Sequence, residues 1–298
     1  QRHTNSMSQP EIVPFIERIR AVIDSCGGSS FTVAEVGGPR PLAEMKAFTQ
    51  GPSRLNSAYA FDFLYADALS ADLVRKTQRE WPGLEGEGWP SWAFENHDAP
   101  RAVSRWRGGC EPDRYAKLLA LLLLSLRGNA FIYNGGELGL TQGEIAFEDL
   151  KDPEAITNWP ETLGRDGART PMPWDSARND HAGFSDAKPW LPIQSDHLRS
   201  SVADQESDPD SVLNTYRAAI ALRNRCRVLR EGGITFPGDG DLLVFDRQLD
   251  GQSRRCVFNM GPKALAYDGP TAAELSVGET PEAGMIPAYS GFISRTGA

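Results

Sequence analysis

Four short apolar runs recur along the first half of this chain, and their cadence limits what it can fold into. FTVA starts at residue 31, SAYAFDFLYA spans 57–66, SWAF starts at 91 and NAFIY starts at 129. Helix-patterned segments separate them: PLAEMKAFT (41–49), residues 68–80, and EPDRYAKLLALLLLSLRG (111–128). A further helical pattern, PEIVPFIERIRAVI (10–23), precedes the first run. Strands spaced by about 30 residues with a helix between them predict parallel pairing through crossover connections. The LLALLLLSL core of the third helical segment (118–126) predicts a helix buried on most sides. It is far shorter than the roughly 20 residues that span a bilayer.

The strand ends carry the second constraint. The first run ends at Glu35-Val36-Gly37-Gly38, the third at Glu95-Asn96-His97-Asp98 and the fourth at Asn134-Gly135-Gly136-Glu137. No strand is followed by a GxGxxG or phosphate-loop pattern, which disfavours an open doubly wound sheet, the alternative architecture. In a closed β/α barrel such polar ends gather at one mouth, where active sites are built. Glu35 and Asp98 would then face the same mouth, and two converging carboxylates suggest acid/base chemistry. Phe61 and Phe63 in the second run are candidates for an aromatic wall against a ligand.

Residues 134–207 break the cadence with a Pro- and Trp-rich connection that includes GRDGARTPMPWD (164–175). A connection of that length is expected to be functional or a lid. DPDSVLNTYRAAIALRNRC (208–226) reads as a helix with apolar positions 212, 213, 216, 219 and 222 on one face. After it the pattern changes to short alternating runs, and Asp250-Gly251 inside DLLVFDRQLDGQSRRCVFNM (241–260) predicts a tight hairpin. These features place a boundary near residue 230, with a small antiparallel β-domain after it.

A formal net charge of −9 and a pI near 5.1 disfavour nucleic acid and anionic membrane as partners, since both select a basic face. Four scattered cysteines (Cys26, Cys110, Cys226, Cys256) are expected as free thiols, and four scattered histidines offer no zinc-ligand spacing. The compartment is left open, with the cytoplasm the expectation. The opening QRHTNSMSQPE has neither an initiator methionine nor a signal-peptide pattern. Both a start at Met7 and a beginning further upstream are compatible with it.

In this order and spacing, the motifs resemble the α-amylase superfamily, glycoside hydrolase family 13, and within it the bacterial α-glucosidases and oligo-1,6-glucosidases. FTVAEVGG resembles the fifth-strand motif that carries the general acid, which puts that role on Glu35. FENHDAPR resembles the seventh-strand motif and implies sugar binding by His97 and transition-state stabilisation by Asp98. FIYNGGELGL resembles the eighth-strand segment, usually written with Gln and Glu where this chain has Asn134 and Gly136. GRDGARTPMPWD followed by AGFSDAKPW resembles a signature of the exo-acting branch, in which Arg165 matches the arginine that binds the terminal glucose with Asp98. The resemblance covers most of residues 1–230.

It implies the C-terminal half of a (β/α)8 TIM barrel, strands five to eight, over residues 1–229, followed by an antiparallel β-sandwich domain over 230–298. The implied activity is that of a retaining α-glucosidase acting on the non-reducing end of short oligosaccharides or aryl glucosides, without an organic cofactor. The family nucleophile is an aspartate on the fourth strand in a GFRxD-type motif, and no such motif occurs here. The opening residues resemble the loop and helix just after that strand. The first four strands, and any structural calcium site near them, would lie upstream, so the N-terminal half of the barrel is the expected partner and this chain alone is expected to be inactive. A non-catalytic sugar-binding or assembly subunit of the same descent is the alternative. Linkage preference, hydrolysis against glucosyl transfer, and oligomeric state are not legible.

Overall fold

The computed structural model describes residues 7–37, 40–81, 88–162, 164–178, 181–281 and 284–296. Gly38, at the end of the first polar patch, and the opening residues 1–6 lie outside the described residues.

Helix α1 (Ile12–Ser25) leads into β1 (Val33–Glu35), α2 (Pro41–Thr49) and β2 (Ser57–Ala60). Then come α3 (Ala71–Arg79), β3 (Pro90–Trp92), α4 (Ala102–Trp106), α5 (Pro112–Ser125) and β4 (Asn129–Ala130). The four strands form one sheet in the order β1-β2-β3-β4, every pair parallel. This is half the strand number of a closed (β/α)8 barrel. Ala34, Ala58, Ala60 and Trp92 turn toward the helices and are buried, while Glu35 and Tyr59 alternate to the other face. On that inner side Val33, Phe131 and Ile132 each remain more than a third exposed.

The long connection is not structureless. It holds four short 3-10 turns, α6 (Pro153–Asn158) and α7 (Val202–Ser207). Helices α8 (Val212–Arg225) and α9 (Arg227–Glu231) follow. All five apolar positions predicted for α8 are buried.

Sequence chemistry explains the element ends. Ser70 caps α3 by accepting the Leu73 N–H at 3.1 Å, and Ser211 caps α8 by accepting that of Asn214 at 3.2 Å. Helix α5 starts with Pro112 in its first turn and buries Leu118 through Ser125, as the 118–126 run predicts. The second run, expected as a strand to residue 66, leaves the sheet at Ala60. The Phe61 carbonyl then accepts the N–H groups of Leu64 at 3.0 Å and Tyr65 at 3.3 Å, so a turn replaces further ladder pairing.

The remaining strands are β5 (Gly233–Thr235), β6 (Leu243–Leu249), β7 (Gln252–Asn259), β8 (Leu265–Ala266), β9 (Leu275–Val277), β10 (Met285–Ile286) and β11 (Ser290–Thr296). Five of them make an antiparallel sheet in the order β5-β6-β7-β11-β9, and β8 pairs with β10. Asp250 (φ 49°) and Gly251 (φ 76°) make the left-handed pair that a two-residue hairpin needs. One face of this sheet, through Phe245, Cys256, Phe258 and Ile293, joins the core formed by α5 and α8. Two arginines, half-buried Arg223 of α8 and fully buried Arg247 of β6, converge at the end of α5, where helix carbonyls lack partners. Arg223 donates to the carbonyls of Leu124, Leu126 and Gly128, and Arg247 to those of Ser125, Gly232 and Gly233. Burial pushes the Arg247 guanidinium down to about 9.

The four cysteines are free, Cys26 exposed and the others buried. Among the described residues no helix is long and apolar enough to cross a membrane.

Candidate active site at the strand ends

Strand β1 ends on Glu35, whose side chain is exposed at the rim of a cleft of about 320 Å³. Tyr59, Asn96, His97, Phe131 and Tyr133 line the same cleft from the three neighbouring strand ends. Tyr59 is pushed up to about 12, chiefly by burial. An Asn96 hydrogen bond opposes the shift, while Glu35, Tyr65 and Asp98 add to it through their charge. Glu35 and His97 share this cleft, and Asp98 adjoins it through His97, whose Nε2 stands 3.5 Å from Asp98 Oδ2.

The turn after β3 is set by Asn96. Its Oδ1 accepts the N–H groups of Asp98 at 2.9 Å and Ala99 at 2.7 Å, the local bonding for which asparagine is favoured in turns. Asn96 stays buried, while His97 swings out to 63% side-chain exposure and Asp98 to 32%. The polar triplet is thus not merely the end of a strand: one member builds the turn and two are presented by it.

Asp98 lies in a cationic clamp. Its Oδ1 accepts Arg165 Nη1 at 3.2 Å and Arg169 Nη2 at 2.9 Å, and His97 Nε2 stands 3.5 Å from its Oδ2. Arg169 also donates through Nε to the His97 carbonyl at 2.8 Å. Arg165 is itself held by Asp152, whose carboxylate accepts its Nε at 2.8 Å, its Nη2 at 3.0 Å and its backbone N–H at 2.9 Å. That bonding holds the Asp152 carboxyl well below the usual carboxylate range. Buried Asp166 closes the excursion by accepting the N–H groups of Lys151 and Asp152.

The structure therefore brings together Glu35, His97, Asp98 and Arg165. Phe61 is half-buried beside them, edge-on to Tyr59 and stacked on exposed Tyr65 with ring centroids 5.7 Å apart. Phe63 corrects the expectation placed on it. It is fully buried, edge-on to Trp92 and Phe94, and offers no surface to a ligand. Sequence reasoning missed Tyr59, Asp152 and Arg169. Arg169 alone carried a signal, as the second arginine of the GRDGAR motif four residues after the first. Among the described residues no group of His, Cys, Asp and Glu is arranged to hold a metal ion.

Four parallel strands with Glu35 and the clamped Asp98 at or just beyond their carboxyl ends are the arrangement of one half of a β/α-barrel mouth. The chain belongs to the α-amylase family: residues 1–232 match the model for the alpha amylase catalytic domain. It is 43% identical over 273 residues to a probable alpha-glucosidase of Rhizobium meliloti (strain 1021), covering 91% of this chain and 49% of that protein. It is 30% identical over 272 residues to a probable oligo-1,6-glucosidase 2 of Bacillus subtilis (strain 168), covering 80% of this chain and 48% of that one. Among solved structures, the alpha-glucosyl transfer enzyme XgtA superposes with a TM-score of 0.84 at 38% identity, covering 96% of this chain and 55% of that chain. The chain spans about half the length of the curated relatives it matches.

Proposed function

We propose that this chain is the part of a retaining α-glucosidase that carries the general acid and the transition-state stabiliser. In this reading Glu35 gives its proton to the glycosidic oxygen as the bond to the anomeric carbon breaks. An aspartate supplied by the first half of the barrel attacks that carbon and forms the glycosyl-enzyme. Glu35, now ionised, takes a proton from the incoming water or sugar hydroxyl, which displaces the aspartate. Asp98 and His97 hold adjacent hydroxyls of the terminal glucose, and these bonds strengthen as the ring flattens toward an oxocarbenium ion. Arg165 and Arg169 hold the Asp98 carboxylate in orientation through their hydrogen bonds to its Oδ1. The division of the chain into barrel half (1–229) and β-domain (230–298) belongs to the same proposal.

The observation that carries this reading is that Glu35 and His97 line one cleft, with the doubly clamped Asp98 adjoining it 3.5 Å from His97 Nε2. The names of the relatives support glucoside cleavage, and that of XgtA supports glucosyl transfer to an acceptor as a companion activity. Four strands alone offer no nucleophile opposite Glu35 in this mechanism, so the chain by itself should not turn over maltose. The test is the complete enzyme with maltose, isomaltose and sucrose, followed by NMR of the first anomer released. Release of α-glucose supports the reading. Release of β-glucose, or tight sugar binding without turnover, overturns it, and the latter outcome favours a sugar-binding subunit.

A further inference from the structure

Glu95 stands just before the turn that presents His97 and Asp98, and it is buried at 7% exposure. Its Oε2 accepts the backbone N–H of Ala102 at 2.7 Å, and its Oε1 accepts Arg101 Nη1 at 3.1 Å. Arg101 is fully buried, gives the same nitrogen to the Asn134 carbonyl at 2.7 Å and lies 4.6 Å from the ring centroid of Tyr133. One carboxylate thus bridges the whole segment 96–101, from its first residue's neighbour to the start of α4. A buried ion pair is weak evidence for stability, because desolvation offsets most of the attraction. It is better evidence of a geometry that has to be held.

Gly136 supplies the second, independent observation. A Cβ built there falls 2.7 Å from Glu95 Oε1, and the Gly136 φ lies outside the left-handed region, so space and not backbone strain excludes a side chain. The Glu95 carboxylate fills the place where a side chain from the end of the fourth strand would lie. An aspartate carries its carboxylate oxygens at about that distance from its own Cβ, so the same position before Arg101 can be reached from either strand.

We propose that Glu95 is a positioning residue for Asp98: its carboxylate, seated in the space left by Gly136, fixes Arg101 and the Ala102 backbone and so sets the angle at which Asp98 meets Arg165 and Arg169. The catalytic consequence rests on the proposed α-glucosidase function. In the complete enzyme, Glu95→Ala lowers kcat/KM on maltose by about 10- to 100-fold, the usual range for losing a group that orients a functional one. The loss falls mainly in kcat, because Asp98 acts most strongly in the transition state. Glu95→Gln, which keeps an acceptor for Ala102, loses less. Gly136→Asp alone sets two carboxylates against one guanidinium and also loses activity.

The deciding variant is the double one, Glu95→Ala with Gly136→Asp, which returns the carboxylate from the other strand and recovers most of kcat/KM. Recovery of the melting temperature without recovery of kcat/KM overturns the proposal in favour of a purely structural role, as does wild-type kcat/KM in Glu95→Ala. Should the wild-type complete enzyme cleave no α-glucoside, the functional reading has failed, and crystal structures of the variants decide the positioning claim. An Asp98–Arg169 hydrogen bond that breaks in Glu95→Ala and re-forms in the double variant upholds it. The same hydrogen bond unchanged in Glu95→Ala overturns it.

Discussion

His197 is the group whose protonation this fold opposes most clearly, and its replacement gives a pH-dependent stability that can be worked out in advance. The side chain is 3% exposed, and its Nε2 donates to the Thr141 carbonyl at 3.1 Å. Burial, and after it the Arg101 charge, push the imidazole down from 6.5 to about 4; Asp196 pulls it up and Arg199 down by less. Between those two values the unfolded chain binds a proton that the folded one refuses. Stability from the neutral ring is therefore complete above about pH 6.5, declines as pH falls through the window, and is gone below about pH 4. The full swing is about 3 kcal/mol at 1.36 kcal/mol per pH unit. His197→Gln keeps an N–H donor for Thr141 and removes the titration. Urea unfolding of the complete enzyme at pH 7, 5.5 and 4, for wild type and variant, isolates the effect as the change in their difference. A difference that moves by less than about 1 kcal/mol across the window, or grows in the wild type's favour on acidification, refutes the reasoning.

Other outcomes follow from the clamp and its support. Asp152→Ala removes an acceptor of four N–H groups, from Glu154 and Arg165, and should cost about 2 kcal/mol of stability in thermal or urea unfolding. That figure is discounted because the Arg165 side chain is 38% exposed and keeps water as a partner. In double-mutant cycles on kcat/KM, Asp98→Asn should couple to Arg169→Ala by about 1–2 kcal/mol and to Arg165→Ala by less, since Arg165 is already held by Asp152. Equal coupling would place both arginines on Asp98 alike. This chain expressed without a companion half-barrel should show no α-glucosidase turnover and should self-associate, because β1 and β4 each pair on one side only among the described residues. A monomer that cleaves maltose in gel filtration fractions contradicts this.

Where one physical rule acts alone, the sequence is readable. The α8 face follows from 3.6-residue periodicity, and the β6–β7 turn follows from two residues that tolerate positive φ. The four parallel strands are legible from spacing although each has only two to four residues, since crossover length constrains pairing more than strand length does. Phe61 and Phe63 share strand parity in sequence, but the chain leaves the sheet at Ala60, so parity no longer assigns a face: Phe63 is fully buried, and Phe61 stays half-buried against Tyr59 of the cleft wall. Asp152 reaches Arg165 across 13 residues of irregular chain, and no periodicity encodes such a contact. Arg165 and Arg169 are the same residue type in one motif, and only the geometry shows that both reach Asp98. Glu95 reads as an ordinary strand-end carboxylate until Gly136 is seen to make room for it.

The central claim is that Glu35 is the proton donor to the leaving group, and substrate dependence tests it most directly. In the complete enzyme, Glu35→Gln should slow glycosyl-enzyme formation from maltose by about 10²- to 10⁴-fold, the range that a positioned acid supplies. An aryl α-glucoside with an acidic phenol needs little protonation to depart and should lose far less in the same pre-steady-state burst measurement. A large loss on maltose with a small one on the acidic phenol is the predicted result. Equal losses on both substrates would contradict the account and remove Glu35 from the acid role.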